Sequence, residues 1–474
     1  MKKIPYIRVI NHEPKPLCDN MSLHSHYEIR WQNFKGFEDT GWIKIKPITV
    51  IIGANNSGKS GLIAPFLLLN QTLSSRDRIT PLIIKGKLFD GGNVRELTHK
   101  YDLTKPIKLE FRYHLHTKRP KKLKKIGSYP PGAMSVTLKV DNEENREFKI
   151  VEIGVDDIFN QHLFSFKKNS DNKFDFESDG FANIKPEEKE FLKNSEPLNF
   201  IFSPNSILST ASQVPKENDS FKKISFSADF SLLLQTIAFN YSMVNEIISG
   251  ISFLGPIRDE PHRYYEVSNE NHHTVGWKGQ NMASLLKKNF DIIEKDINSW
   301  LQKFNFGSGL YFRELSKTVY TLNFWDSDEK LTYTNIANAG FGASQILPLI
   351  VQALLSSDDN LTIAEQPEIH LNPRLQGVLA ELFCFMASKD QRIIVETHSE
   401  HLLLRLRTLI AAKKLTPDNI GIYFVEKKNG ISKIKEIPID ENGRIKSEEW
   451  PVGFFDDTLK ESLALASAQS KNKN

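Results

Sequence analysis

The spacing of apolar residues changes several times along the chain, and each change marks an element. Ile29 to Phe37 reads as β structure. Trp42-Ile43-Lys44-Ile45-Lys46 alternates apolar and charged residues, as a half-buried strand does, and Ile107 to Leu115 repeats that alternation. Between them, Pro47 to Ile52 is a β-type run and Leu62 to Leu69 an apolar helical stretch. Phe230 to Ile248 predicts a helix that leads into Ile251–Asp259, a buried strand broken by Gly255-Pro256. An apolar helix at Ile346–Leu355 precedes two β runs, Leu361–Ala364, which ends at an acid, and Arg392–Ser399, which ends at a histidine. A helix over Glu400–Leu409 follows, then a β pair at Gly421–Glu426 and Ile431–Ile439. Lys428-Asn429-Gly430 between them is a hairpin signal.

The pattern breaks down over 116–225. Asp141 to Ser220 is polar, rich in Asn, Ser, Lys and Glu, and reads as an insertion, part strand and part loop. It opens on a dense basic run, Lys118-Arg119-Pro120-Lys121-Lys122-Leu123-Lys124-Lys125. That run is either a contact for phosphate backbone or a solvated loop tip. Arg258, His262 and Arg263 form a second cationic group, suited to a phosphate site, a subunit contact or a plain surface cluster. No internal repeat stands out.

Composition narrows the class. A chain of 474 residues predicts roughly two or three domains. Its 25% charged and 39% hydrophobic residues are ordinary for a soluble protein, and a net charge of +4 neither demands nor excludes nucleic acid. Cys18 and Cys384 imply no disulfide framework and no cysteine-based zinc site, which suits a reducing cytosol. No apolar run approaches about twenty residues and no apolar leader follows Met1-Lys2-Lys3. The expectation is a cytoplasmic protein without a membrane span.

The chemistry concentrates at Gly53-Ala54-Asn55-Asn56-Ser57-Gly58-Lys59-Ser60, followed by Gly61. Gly53, Gly58, Lys59 and Ser60 satisfy the G-x-x-x-x-G-K-[ST] pattern of a phosphate-binding loop, and the loop lies between a strand and a helix as it should. The glycines let backbone N–H groups turn inward at the β-phosphate, aided by the positive end of the helix dipole. Lys59 would reach the β- and γ-phosphates, and the Ser60 hydroxyl would ligate Mg²⁺. ATP with Mg²⁺ is therefore the expected ligand. A partner acid is needed, and Glu365, at the end of Leu361–Ala364, would hold Mg²⁺ directly or through water. Ala339-Gly340-Phe341-Gly342-Ala343-Ser344-Gln345 is a small-residue loop entering a helix, so Ser344 and nearby N–H groups are candidates to grip the γ-phosphate. His398, at the end of the apolar strand read over Arg392–Ser399, is a candidate sensor of that phosphate.

These four devices, in this order, resemble the ABC-type ATPase heads of chromosome-maintenance and RecF-like proteins. Gln345 to Glu365 spans 20 residues and Glu365 to His398 spans 33, both similar to that family. The resemblance implies an α/β fold: a phosphate-loop head with a mixed β-sheet, a central α+β insertion and a small C-terminal tail. It divides the chain into 1–115 (first half of the head), 116–225 (insertion), 226–425 (second half, with the Ser344 loop, Glu365 and His398) and 426–474 (tail). It also implies a homodimer or higher oligomer through the heads, each phosphate loop facing the partner's Ala339–Gln345. That loop departs from the usual Leu-Ser-Gly-Gly-Gln.

A narrower resemblance rests on Asn33-Phe34-Lys35-Gly36-Phe37, Glu365-Gln366-Pro367-Glu368-Ile369-His370-Leu371, Glu396-Thr397-His398-Ser399-Glu400-His401 and Trp450-Pro451-Val452-Gly453-Phe454-Phe455-Asp456. These segments are similar to stand-alone bacterial ATPases that include the ATPase subunits of Septu-type and retron-associated anti-phage systems. It implies an HNH-type nuclease as partner, with DNA or an RNA–DNA hybrid as the corresponding nucleic-acid contact. One departure bears on mechanism. Where most ABC ATPases carry a glutamate that polarises the attacking water, this chain has Gln366. A neutral amide orients water but cannot take its proton, so slow hydrolysis is expected, with Glu368 as the alternative base. No Asp-x-Asp or metal-ligand cluster occurs after Ser399, so any nuclease activity is expected from another chain. The competing reading is a RecF-like DNA-binding ATPase of DNA repair, which the basic run at 118–125 favours; a transporter motor fits the Ala339–Gln345 loop poorly.

Overall fold

The computed structural model describes residues 27–113, 130–141, 147–211 and 226–446. The basic run Lys118–Lys125 and the Trp450–Asp456 motif lie outside these ranges. In chain order, β1 (Tyr27–Phe34), β2 (Phe37–Asp39) and β3 (Ile43–Ile45) lead to β4 (Ile48–Gly53) and helix α1 (Lys59–Leu73). Five strands follow: β5 (Ile107–Tyr113), β6 (Pro131–Val140), β7 (Phe148–Asp157), β8 (His162–Lys168) and β9 (Phe174–Ser178). Next come α2 (Ala228–Ser249), β10 (Ser252–Leu254), β11 (Tyr265–Glu266) and α3 (Met282–Lys303). The chain continues through β12 (Gly309–Glu314), β13 (Val319–Trp325), β14 (Tyr333–Asn335), α4 (Phe341–Leu355) and β15 (Leu361–Glu365). It closes with α5 (Pro373–Ser388), β16 (Arg392–Glu396), α6 (Glu400–Ala411), β17 (Ile420–Lys428) and β18 (Ile431–Glu436).

A six-stranded sheet in the order β10-β15-β16-β4-β17-β18 organises the site. Its first five strands are parallel and β18 is antiparallel, so the sheet is mixed and combines strands from both ends of the chain. All six residues of β4 are buried. Ile51 packs toward the core shared with α1, α2 and the large antiparallel sheet, while Ile48, Val50 and Ile52 pack toward the core shared with α3 to α6. Covering both faces explains why Pro47–Ile52 lacks a two-residue period. The same reasoning applies to α1, in which every residue but Ser60 is buried, leaving no polar face. Trp31 of β1 clamps that helix. Its indole N–H donates to the Leu62 carbonyl at 3.0 Å, and its ring meets Phe66 edge-on at 5.6 Å.

An eight-stranded antiparallel sheet runs β2-β1-β5-β6-β7-β8-β9, with β3 also paired to β1. Strands β6 to β9 fall within 116–225, yet they continue the hydrogen-bonded ladder begun by β1 and β5. A smaller antiparallel sheet, β11-β13-β12 with β14 on β13, flanks α3.

Candidate nucleotide site

The phosphate loop connects β4 to α1. Gly58 caps the helix with φ 112°, in the left-handed region that a side chain disfavours. The first helical hydrogen bond runs from the Leu62 N–H to the Gly58 carbonyl at 3.2 Å. Ala54, Asn55, Asn56 and Ser60 are exposed, whereas Gly53, Ser57, Lys59 and Gly61 are buried. Lys59 therefore points into the protein rather than into water. Its ammonium donates to the carbonyls of Gly53 at 3.0 Å and Ala54 at 2.9 Å, and burial lowers its pKa. A Cβ at Gly53 would collide with the Val425 carbonyl oxygen of β17, so the loop starts against a backbone wall.

Parallel register brings the acids to this loop. Glu365 of β15 lies opposite Glu396 of β16, and Glu396 lies opposite Ile51, two residues before Gly53. Glu396 thus stands between Glu365 and the loop. Its carboxylate accepts from the Ser60 hydroxyl at 3.3 Å and sits 3.9 Å from the Lys59 ammonium. Burial raises the Glu396 pKa, against the pull of Lys59 and Ser60. Glu365 is pushed up to about 7, first by burial and then by the charge of Glu396. A half-buried Glu365 carboxyl raised partly by the charge of the buried Glu396, next to a serine hydroxyl, makes a set that a divalent cation would stabilise. Among the described residues no cluster of three or more His, Cys, Asp or Glu forms a cation cage. Mg²⁺ suits such a place, since it keeps several waters and takes few protein ligands beside substrate phosphates. Ser60, Glu365 and Glu396 would hold it, and it would supply charge neutralisation at the phosphates.

Beyond Glu365 the backbone turns sharply. Gln366 adopts φ 44°, and its N–H donates to the Glu396 carbonyl at 2.7 Å. That turn carries Glu368 back under the loop after β16, where its Oε1 accepts from the His398 N–H at 2.7 Å. Glu368 Oε2 is buried without a hydrogen-bond partner, and burial raises the carboxyl's pKa. His398 Nε2 is likewise buried without a partner. Burial, and after it the nearby Lys59 charge, lowers the His398 pKa, which favours the neutral imidazole. The Gln366 side chain is half-buried.

The structure therefore unites Lys59, Ser60, Glu365, Glu368 and His398, and three placements differ from the sequence pattern. Helix α4 begins at Phe341, earlier than the apolar run suggests, so Ser344 lies inside its first turns. It is buried, and its hydroxyl donates to the Phe341 carbonyl at 2.8 Å. Arg258 separates from His262 and Arg263. Those two are exposed, but Arg258 is only 4% exposed and donates to the Glu365 carbonyl at 3.1 Å. It is not part of a surface charge cluster, because β10 pairs with β15 and delivers the following turn to the acid end of the sheet. Burial lowers its pKa to about 10, with Glu368 and Glu365 opposing that shift. Glu396 is the third. Like Glu365 it ends a short apolar run, which was its only sequence signal; the register that sets it beside Ser60 is tertiary.

Among solved structures, the chain is similar to an SMC head domain from Thermotoga maritima (11% identity, covering 88% of this chain and 99% of that one, TM-score 0.34). It is also similar to an Smc head bound to the C-terminal domain of ScpA, derived from Pyrococcus furiosus (10% identity, 87% and 96% covered, TM-score 0.37). Overlaps this loose carry no weight for function. No curated protein matches. Residues 415–465 match a family described as a protein of unknown function, DUF3696. Residues 27–403, which hold the phosphate loop, Glu365, Glu396 and His398, match the model of an AAA ATPase domain. The chain belongs to the AAA ATPase domain family and is an ATPase of that type.

Proposed function

We propose that this ATPase works as a slow, ATP-held clamp: it binds ATP and Mg²⁺, pairs through its heads, and in the paired state controls a partner nuclease of HNH type in bacterial anti-phage defence. The observation that carries the slow step is the chemistry after Glu365. Gln366 has no basic carboxylate, and Glu368 spends one carboxylate oxygen on the His398 N–H. Losing a positioned general base costs about 10²–10⁴-fold in rate. Lys59 and His398 bind and sense the γ-phosphate, Ser60 and Glu365 attend the metal, and Gln366 orients the water. The defence role and the nuclease partner rest on the motif resemblance at 33–37, 365–371, 396–401 and 450–456.

The test is ATP turnover measured beside ATP binding on the purified chain with Mg²⁺. Tight binding with almost no turnover is expected, and brisk turnover would overturn the clamp. Gln366→Glu should raise hydrolysis at least several-fold; an unchanged rate would assign the base to Glu368 or another group. Purification with the natural neighbouring proteins should retain an HNH protein. DNA binding by the ATPase alone, with no such protein, would favour a DNA-repair role.

A further inference from the structure

Hairpin β17–β18 lies within the segment matched to a family of unknown function, and it touches the phosphate loop from behind. Ser432 of β18 is 2% exposed. Its hydroxyl donates to the Ser57 carbonyl at 2.7 Å, and its backbone N–H donates to the Gly36 carbonyl at 2.8 Å. A Cβ on Gly58 would strike the Ser432 hydroxyl, so loop and hairpin meet here through the Ser432 side chain. The Val425 carbonyl of β17 closes on Gly53 in the same way.

We propose that Ser432 is a positioning residue for nucleotide binding, and that the hairpin is a brace for the phosphate loop. The inference rests on the ATPase reading and extends it to a residue outside the loop motif. The physical argument concerns one peptide plane. In a trans peptide the carbonyl and the following N–H point in opposite directions. Anchoring the Ser57 carbonyl to Ser432 therefore holds the Gly58 N–H on the face away from the hairpin, toward the phosphates. Gly58, with φ 112°, has the conformational freedom to let that peptide turn over, so the intrinsic backbone does not fix the orientation. The Ser432 hydroxyl does. A buried Ser57 Oγ without a hydrogen-bond partner shows that the loop's own serine does not supply this restraint.

The experiment is calorimetric binding of ATP, with AMP by competition, to the full chain carrying Ser432→Ala, beside wild type. An N–H that meets the β-phosphate matters to ATP and not to AMP. The expected result is ATP binding about tenfold weaker, as for one hydrogen bond to a charged oxygen, with AMP binding unchanged and only the modest fall in nucleotide-free melting temperature that one lost buried hydrogen bond brings. Ser432→Thr, which keeps the hydroxyl, should recover ATP affinity. Equal losses for ATP and AMP, or no loss, would overturn the inference. If the alanine chain fails to fold, Ser432→Cys keeps the volume while donating weakly, and the same ATP-to-AMP ratio decides. A wild type that binds no ATP would instead remove the nucleotide reading itself, and this inference with it.

Discussion

At the scale of single residues, the acid end of the central sheet stores electrostatic cost. Glu365, Glu368 and Glu396 all have carboxyls displaced upward, with burial as the largest cause for each. A pKa raised on folding means that the folded state favours the protonated acid. Stability is then fully present below the unfolded pKa and is lost as pH rises through the folded one. For Glu365 that window runs from 4.5 to about 7, equivalent to roughly 3 kcal/mol at most. The nucleotide-free protein should melt at a lower temperature at pH 8 than at pH 5.5, and Glu365→Gln should flatten that slope in scanning calorimetry. A Glu365→Gln slope equal to that of wild type would place the cost elsewhere. Arg258 tempers the cost from the opposite side, as a buried cation near Glu365 and Glu368.

Among elements, helix ends set the geometry that matters. Helix α6 starts immediately after His398, with Ser399 as its cap. The Ser399 hydroxyl accepts from the Leu402 N–H at 2.9 Å and donates to Gln376 Oε1 of α5 at 2.7 Å, while Thr397 Oγ1 accepts from the Ser399 N–H at 3.0 Å. The residue next to His398 is thus tied to two helices at once. Ser399→Ala should cost about 1–2 kcal/mol in urea denaturation and should raise the KM for ATP by freeing the His398 loop. A loss below about 0.5 kcal/mol, under the usual value of such a cap, would show that the cap is redundant. The β17–β18 turn illustrates local chemistry that agrees with the fold. Asn429 at φ 52° and Gly430 at φ 78° are both left-handed, as a two-residue type I′ hairpin needs.

For the whole molecule, the proposed pairing of heads makes a prediction about one exposed surface. Residues at the start of α4 face outward: Phe341 is 48% exposed, its ring edge-on to His370 at 4.9 Å, on the turn that follows Glu368. This is the loop that the family resemblance sets against a partner's phosphate site. With ATP and Mg²⁺ the chain should elute as a dimer, and without them as a smaller species. Lys59→Ala should lose both nucleotide binding and the dimer. If Lys59→Ala kept full nucleotide affinity, the assignment of Gly53–Ser60 would fail. No described helix is long and apolar enough to cross a membrane.

Local patterns determined the elements of the site. The order strand, glycine-rich loop and helix at 48–73 follows from near-neighbour chemistry, as do the acid-ended runs at Glu365 and Glu396, the helix at 228–249 and the Asn429-Gly430 turn. Backbone freedom, hydrogen-bonding capacity and hydrophobic period are written into adjacent residues, so a linear reading reaches them. Only tertiary structure decided which elements touch. Strands β4 and β17 pair across more than 360 residues, and no periodicity encodes that partnership. Parallel register decided that Glu396 stands between Glu365 and Ser60, and the β10–β15 pairing turned Arg258 inward. Burial in the assembled core, followed by the charge of Glu396, moved Glu365 toward neutral pH, and the packing of the β17–β18 hairpin joined Ser432 to the phosphate loop by a hydrogen bond.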